Sequence, residues 1–199
     1  MASILLVCTG NICRSPMAEG LLRDLLAARF PDGQVEVSSA GIAALDGNAP
    51  TVEAQHAALE RDADISSHRA RRLRIDHIQQ ANLVIGMAEE HVQAVRDLVP
   101  AAAQKAFTLK ELVGLFEDMP PVELARSFDD EAFRARVAEA AARRATRPLD
   151  VVDLDVSDPL GMSLETYRAT AWELDTLLGQ LVEGLAGKLP ARSSIWDED

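Results

Sequence analysis

The chain has 199 residues, 48% of them hydrophobic and 26% charged, which is the size of one domain able to bury a core without disulfide staples. Twenty Lys and Arg against 32 Asp and Glu give a formal net charge of −12, which argues against nucleic-acid binding by bulk electrostatics; aromatics at 4% leave few base-stacking platforms. Two cysteines, Cys8 and Cys13, are too few for a disulfide scaffold or a four-cysteine zinc site, and no window of about 18 apolar residues offers a membrane span.

Ser3 to Val7 is an apolar run bounded by a turn-rich loop, and it predicts a strand buried on both faces. It has no basic flank and does not read as a signal peptide, so a reduced, cytoplasmic protein is expected. Pro16 suits a first helical residue, and Ala18, Leu21, Leu22, Leu25 and Leu26 keep helical spacing to about Phe30. Pro31-Asp32-Gly33 stops that helix, and Val35 to Ser38 reads as a second strand. Residues 50–61 are helical in composition. Asn82 to Gly86 is a third strand, followed by a helix over 89–98. Ala106-Phe107 is a short fourth strand before a helix over 109–116. Ser163 caps a last helix whose apolar stripe is Tyr167, Ala171, Leu174, Leu178, Leu181 and Leu185, with Gly187 and Pro190 ending it. Strands alternating with helices imply α/β architecture, a four-stranded parallel sheet covered on both faces within a single domain, 1–199. Two segments break the rhythm. Residues 117–153 are rich in Ala, Arg and acids, with a helical pattern over 129–144, and look like an insertion. Residues 189–199 look like a loose tail.

The chemistry is concentrated between Val7 and Pro16. In open parallel sheets, ligands sit beyond the carboxyl ends of the strands. Successive amides there, backed by a helix N-terminus, make an anion site, and Gly10 lets the backbone turn tightly. Arg14 adds a planar fork for two phosphate oxygens. Cys8 opens the loop, where dipole, amides and Arg14 favour its thiolate, a nucleophile for phosphoryl transfer. Ser15 can donate a hydrogen bond to that sulfur. A single cysteine after a strand is ordinarily a small core residue; the spacing of Cys8, Gly10, Arg14, Ser15 and Pro16 argues otherwise. The loop lacks the Gly-Lys-Ser/Thr of a Walker motif and the Cys-x-x-Cys of a redox motif. A phosphate ester also needs an acid for its leaving group. Asp158, in Asp155-Val156-Ser157-Asp158-Pro159-Leu160-Gly161, is the candidate, with Asp155 its local rival.

Cys8-Thr9-Gly10-Asn11-Ile12-Cys13-Arg14-Ser15-Pro16 resembles the signature loop of the low-molecular-weight protein tyrosine phosphatases. Val37-Ser38-Ser39-Ala40-Gly41, Ser66-Ser67-His68-Arg69-Ala70-Arg71, Leu83-Val84-Ile85-Gly86-Met87 and Asp158-Pro159 resemble further segments of that family in the same order. The likeness spans 1–116 and 150–187. It implies a flavodoxin-like strand order, phosphorylated protein substrates and no cofactor or metal. It also implies roles. Cys8 attacks phosphorus, while Arg14 and the amides of Thr9, Gly10, Asn11, Ile12, Cys13 and Ser15 hold the phosphoryl oxygens. Asp158 protonates the leaving oxygen and then activates water. Asn11, Ser39 and His68 support the loop, and Cys13 can trap Cys8 as a reversible disulfide.

Three departures from the family pattern stand out. Leu160-Gly161 replaces the tyrosines that wall the pocket in many members. Asp158-Pro159-Leu160-Gly161-Met162-Ser163 and Phe107-Thr108-Leu109-Lys110-Glu111 instead resemble bacterial members, including those acting on phosphoarginine. The 117–153 insertion lies outside the compact pattern, and the late cysteines of arsenate-reducing relatives are missing. In the expected pocket wall of Ile12 and Leu160, Ile12 favours a flat phenol, whereas arginine-specific relatives tend to carry threonine there. The leading expectation is therefore a phosphotyrosine protein phosphatase, with a protein-arginine phosphatase second. A low-turnover phosphate-binding or redox-sensing module is third, and the complete Cys8, Arg14, Ser15 and Asp158 set argues against it.

Overall fold

The structure is a computed structural model that describes residues 1–31, 35–123, 125, 127–146 and 153–187. Four parallel strands, β1 (Ala2–Cys8), β2 (Val35–Gly41), β3 (Leu83–Gly86) and β4 (Ala106–Thr108), lie in the order β2-β1-β3-β4. Alternation along the strands divides the core. Ile4, Leu6, Leu83, Ile85 and Phe107 belong to one apolar cluster; Leu5, Val7, Val84 and Ala106 belong to another. The first lies under α1 (Arg14–Arg29), α2 (Val52–Leu59), α5 (Leu109–Glu117) and α7 (Leu164–Ala186). The second lies under α3 (Ile75–Gln80) and α4 (Glu89–Leu98), with the 3-10 turn Pro100–Gln104 alongside. The chain leaves β1 for β2 on one side and reaches β3 on the other, so the loop after β1 sits at the switch point of the sheet, where a crevice opens.

Several boundaries move. Helix α1 begins at Arg14, two residues before the expected Pro16, with Cys13 as an N-cap that makes no side-chain bond. Pro16 falls in the first turn, whose amides have no intrahelical partner, so its missing N–H costs nothing there. Strand β2 runs on to Gly41 because its polar second half is buried and bonded by side chains of the neighbouring loop. Helix α3 is six residues long, buries only Ile78, and carries no periodic signal. Ser163 does cap α7, accepting from the Thr166 amide, and Tyr167, Ala171, Leu174, Leu178 and Leu181 are buried.

Within 117–153, α6 (Asp130–Thr146) buries Phe133, Arg136, Val137, Ala140 and Ala141. Its start pairs with the N-terminal amine of Met1, and its last turn holds the carbonyls of Ala103 and Ala106 through Arg144. The helix thus lies across the amino ends of the strands, at the opposite end of the sheet from the Cys8 loop. The apolar stripe of α6, Phe133, Val137, Ala140 and Ala141, joins the main core cluster. Residues 147–152 and 189–199, which carry the rest of the insertion and the expected loose tail, lie outside the described residues.

Candidate active site

The loop from Cys8 to Ser15 joins β1 to α1, and its backbone is tied outward carbonyl by carbonyl. The Cys8 and Thr9 carbonyls accept from the amides of Ile42 and Ala43, at 3.0 and 2.9 Å. The Asn11 carbonyl accepts from His68 Nε2 at 3.1 Å, Ile12 from the Thr51 amide at 3.0 Å, and Cys13 from the Met17 amide at 3.2 Å. A trans peptide points its N–H opposite to its C=O. The amides of Thr9, Gly10, Ile12, Cys13 and Arg14 therefore turn to the inside of the loop, where they can meet an anion. Asn11 holds the left-handed conformation, with φ 54°, that closes the ring.

Cys8 is 2% exposed. Its Sγ accepts from the Asn11 amide at 3.2 Å and lies 2.9 Å from Ser15 Oγ. Ser15 Oγ also accepts from Asn11 Nδ2 at 2.9 Å, which leaves its own hydrogen available for the sulfur. Asn11 Nδ2 reaches Ser39 Oγ at 2.7 Å, and Asn11 Oδ1 accepts from the Arg71 amide at 2.9 Å. Ser39 in turn donates to Glu19 Oε2 at 2.6 Å, and His68 Nδ1 stands 3.5 Å from the same oxygen. The expected trio of Asn11, Ser39 and His68 is thus brought together, with Glu19 and Arg71 as members that sequence reasoning missed. Burial alone would raise the Glu19 carboxyl, but the hydrogen bonds from His68 and Ser39, with the nearby charges of His68 and Arg23, outweigh it and hold it below its ordinary range. Gly41 is the strand position against which the loop rests. A Cβ there would stand 2.6 Å from the Thr9 carbonyl oxygen and 2.9 Å from the Asn11 nitrogen.

Arg14 is buried, and its guanidinium spans the mouth. Nη1 donates to the Val156 carbonyl at 3.0 Å, and Nη2 donates to Asp158 Oδ2 at 2.6 Å and to Thr9 Oγ1 at 3.4 Å. Asp158, 44% exposed at its side chain, is aimed by a local turn in which Oδ1 accepts from the Leu160 amide at 3.1 Å. Asp155 is employed elsewhere: its Oδ1 accepts from the Glu89 amide at 2.8 Å and caps α4. The structure therefore brings Asp158 and not Asp155 to Arg14. Ile12 is half-buried and lies over Gly10, while the Leu160 side chain is 56% exposed.

His91 and Tyr167 carried no signal as site residues, because one sits in a charged helix and the other in an apolar stripe. His91 is 0% exposed, with Nε2 3.0 Å from Thr9 Oγ1. Burial first, then the Arg14 charge, push it down to about 4 against the pull of Glu90, Asp155 and Asp158, so the ring is neutral near pH 7. Tyr167 Oη lies 3.4 Å from Cys13 Sγ, and Thr51 Oγ1 lies 3.8 Å from it. Burial pushes the Cys13 thiol up despite these two bonds, and burial together with the Cys13 bond pushes Tyr167 up to about 12. Among the described residues no cluster of His, Cys, Asp and Glu could hold a metal ion, and no helix is long and apolar enough to cross a membrane.

A thiol at the bottom of a ring of amides, an arginine fork and a carboxylate at the mouth form a site for displacement at phosphorus. The comparisons with known proteins agree. Residues 3–124 match the family described as low molecular weight phosphotyrosine protein phosphatase. A protein-arginine-phosphatase of Geobacillus stearothermophilus is 33% identical over 182 residues, covering 92% of this chain and 95% of that protein. A probable low molecular weight protein-tyrosine-phosphatase, EpsP of Ralstonia solanacearum, is 35% identical over 128 residues, covering 64% of this chain and 84% of that protein. Among solved structures, the low molecular weight protein tyrosine phosphatase from T. tengcongensis superposes with a TM-score of 0.69 at 34% identity, covering 92% and 99% of the two chains. The YwlE arginine phosphatase from Geobacillus stearothermophilus does so with a TM-score of 0.66 at 31% identity, covering 93% of each. On sequence, fold and site together, the chain belongs to the low-molecular-weight phosphotyrosine protein phosphatase family.

Proposed function

We propose that the protein hydrolyses phosphotyrosine in phosphorylated proteins through a phosphocysteine intermediate. The observation that carries the reading is the arrangement around one sulfur. Cys8 Sγ is held by the Asn11 amide at 3.2 Å and Ser15 Oγ at 2.9 Å, with the Arg14 fork and Asp158 closing the mouth. In the first step the substrate phosphoryl group displaces Asp158 from Arg14 and Asp158 takes up a proton; the Cys8 thiolate then bonds to phosphorus as the phosphorus–oxygen bond to tyrosine breaks, and Asp158 gives that proton to the phenolic oxygen. The phosphoryl oxygens take the Nη2 donor that Asp158 holds and the inward amides from Thr9 to Arg14. In the second step Asp158, now a carboxylate, takes a proton from water as its oxygen bonds to phosphorus. The sulfur leaves with the bonding pair, and Ser15 stabilises it as a thiolate. The two free cysteines fit a reducing compartment, in keeping with a cytoplasmic site of action.

Ile12 favours tyrosine over arginine as the phosphate carrier. Its half-buried aliphatic side chain offers an aryl ring a dry wall and offers a guanidinium no acceptor. A second reading, phosphoarginine, is supported by the near-full-length match to the protein-arginine-phosphatase and by Leu160 at the position where an aromatic wall would stand. Purified protein given phosphotyrosine, phosphoserine and phosphoarginine peptides decides between them. The expected order places phosphotyrosine first by about tenfold or more over phosphoarginine, with Ile12→Thr narrowing the gap. Faster hydrolysis of phosphoarginine by the unaltered protein promotes the second reading.

A further inference from the structure

A fully buried imidazole is an expensive way to fill space. His91 has no exposed surface, and its Nδ1 has no hydrogen-bond partner among the described residues. A leucine or methionine would pack there without stranding a polar atom. The other ring nitrogen is committed: Nε2 lies 3.0 Å from Thr9 Oγ1, with Glu90 Oε1 farther off at 3.4 Å. That oxygen belongs to the second residue of the phosphoryl-binding loop and stands 3.4 Å from Nη2 of Arg14.

The partners of the Arg14 fork are unequal. Nη1 is held by a main-chain carbonyl, that of Val156. Nη2 is held by the carboxylate of Asp158, which must let go when a phosphoryl oxygen arrives, and by Thr9 Oγ1. Once the carboxylate has moved, Thr9 is the protein partner left at that end. A threonine hydroxyl has two lone pairs and one rotating hydrogen. Arg14 only donates, so one lone pair faces Nη2. The geometry favours Nε2 as the protonated nitrogen, donating to the second lone pair, because a bare lone pair stranded at buried Nδ1 costs less than a stranded N–H. The hydroxyl hydrogen is then directed away from both donors, toward Glu90 Oε1 at 3.5 Å. The ring is uncharged near pH 7, because its burial and the adjacent Arg14 charge both disfavour a second cation there. The groups facing it are Arg14 from α1, Glu90 from α4, and Asp155 and Asp158 from the segment before α7.

We propose that His91 is a positioning residue of the active site, which through the Thr9 hydroxyl holds the Nη2 end of the Arg14 guanidinium in place for a bound phosphoryl group. It touches no reacting atom. Its contribution belongs in affinity for the phosphoryl group, and it disappears if Thr9 has no hydroxyl.

The test uses His91→Leu, His91→Gln, Thr9→Val and the double variant His91→Leu with Thr9→Val. Each is measured for melting temperature, for inhibition by inorganic phosphate, and for kcat and KM on an aryl phosphate. His91→Leu is expected to raise the phosphate inhibition constant and KM together by about tenfold, with a smaller change in kcat. Glutamine, whose amide nitrogen reaches the place of Nε2, is expected to restore affinity to within about threefold. Thr9→Val should reproduce the loss, and the double variant should be no worse than Thr9→Val alone. Additive losses, a glutamine variant as weak as the leucine one, or unchanged phosphate affinity in His91→Leu would each overturn the proposal. Should His91→Leu not fold, Thr9→Val and His91→Gln carry the same decision: the first must lose affinity and the second must keep it. The inference rests on the phosphatase reading. An unaltered protein that neither binds phosphate nor hydrolyses an aryl phosphate overturns both, whereas a parent that does both beside an equally competent His91→Leu overturns this inference alone.

Discussion

The two ends of the sheet use the same side chain for opposite purposes. At the amino end, each arginine is held by two main-chain carbonyls and lies over a ring, with carboxylates added for Arg136 (Glu139) and Arg144 (Glu111). Arg144 holds Ala103 and Ala106 and lies 4.2 Å over the Phe107 ring. Arg136 holds Pro120 and Gly184 and lies 5.2 Å from the Phe116 ring, and Arg29 holds Ala125 and Ala186 beside Phe30. At the carboxyl end, Arg14 has one carbonyl, one hydroxyl and one half-exposed carboxylate, and the carboxylate can leave. Arg136 and Arg144 each keep two main-chain carbonyls beside their carboxylate, whereas Arg14 keeps one carbonyl and one hydroxyl at the mouth of the loop. The contrast also explains why a strongly acidic chain can bind an anion. The local donor set decides affinity at contact distance, and net charge acts mainly on the approach.

The largest expected effects attack this contrast directly. Cys8→Ser should abolish turnover, by more than about a thousandfold, in a protein that still folds. Arg14→Lys should cost about a hundredfold or more in kcat/KM with little change in melting temperature, because a point charge cannot replace the bidentate fork. Arg144→Ala should do the reverse. Losing its carbonyl bonds and ring contact should cost about 1–3 kcal/mol of stability, seen as a lower melting temperature with kcat intact. Equal loss of activity from both arginines would erase the distinction.

The two aspartates before α7 sharpen it. Asp158→Ala should slow poor leaving groups by about 10²–10⁴-fold and good ones far less, because a good leaving group departs without a proton. Asp155→Ala removes a cap from α4 and should cost about 0.5–2 kcal/mol in stability without selectivity for leaving group.

A smaller effect is expected from the network behind the loop. The folded value of Glu19 lies below the ordinary 4.5, so its contribution to stability is fully present above that pH and is lost as pH falls through the folded value. Glu19→Gln should lower the melting temperature at pH 7, and thermal scans should show the gap closing below about pH 4.5. The smallest effect concerns the two thiols. Peroxide should inactivate the enzyme and dithiothreitol restore it through a Cys8–Cys13 bond, slowly, because Cys13 faces Tyr167 and burial keeps it protonated. Tyr167→Phe should speed inactivation by about threefold, the worth of one weak hydrogen bond. Equal rates would leave Tyr167 a packing role.

The strands were legible where apolar runs stand alone, as in Ser3 to Val7 and Asn82 to Gly86, and so was α7, because its stripe is long and its serine cap is local. The Cys8 loop was legible because its chemistry is contiguous in sequence. What could not be read depends on contacts between distant segments. The second half of β2 is polar, and its burial makes sense only once Asn11, Glu19 and Arg71 are seen around Ser39. His91 sits in a run of charged residues that reads as surface, although the fold turns that position inward onto Thr9. Asp155 was a local rival to Asp158 in the sequence, and the fold separates them by contact: Asp158 meets Arg14, whereas Asp155 holds the Glu89 amide. The helical pattern of α6 was plain, but its end of the sheet was not, because periodicity gives a face and no address.

The ion pair between Arg14 and Asp158 has a consequence for product release. Asp158 is an anion tethered beside the site, with an effective concentration on the order of millimolar for such a short link. Free phosphate must compete with it for Nη2, whereas a substrate brings further contacts to offset the exchange. When the ester is gone and phosphate remains, the carboxylate reclaims the guanidinium. Under the proposed function, the Asp158 carboxylate is a built-in competitor for product, since it pairs with the same guanidinium nitrogen that phosphate would need.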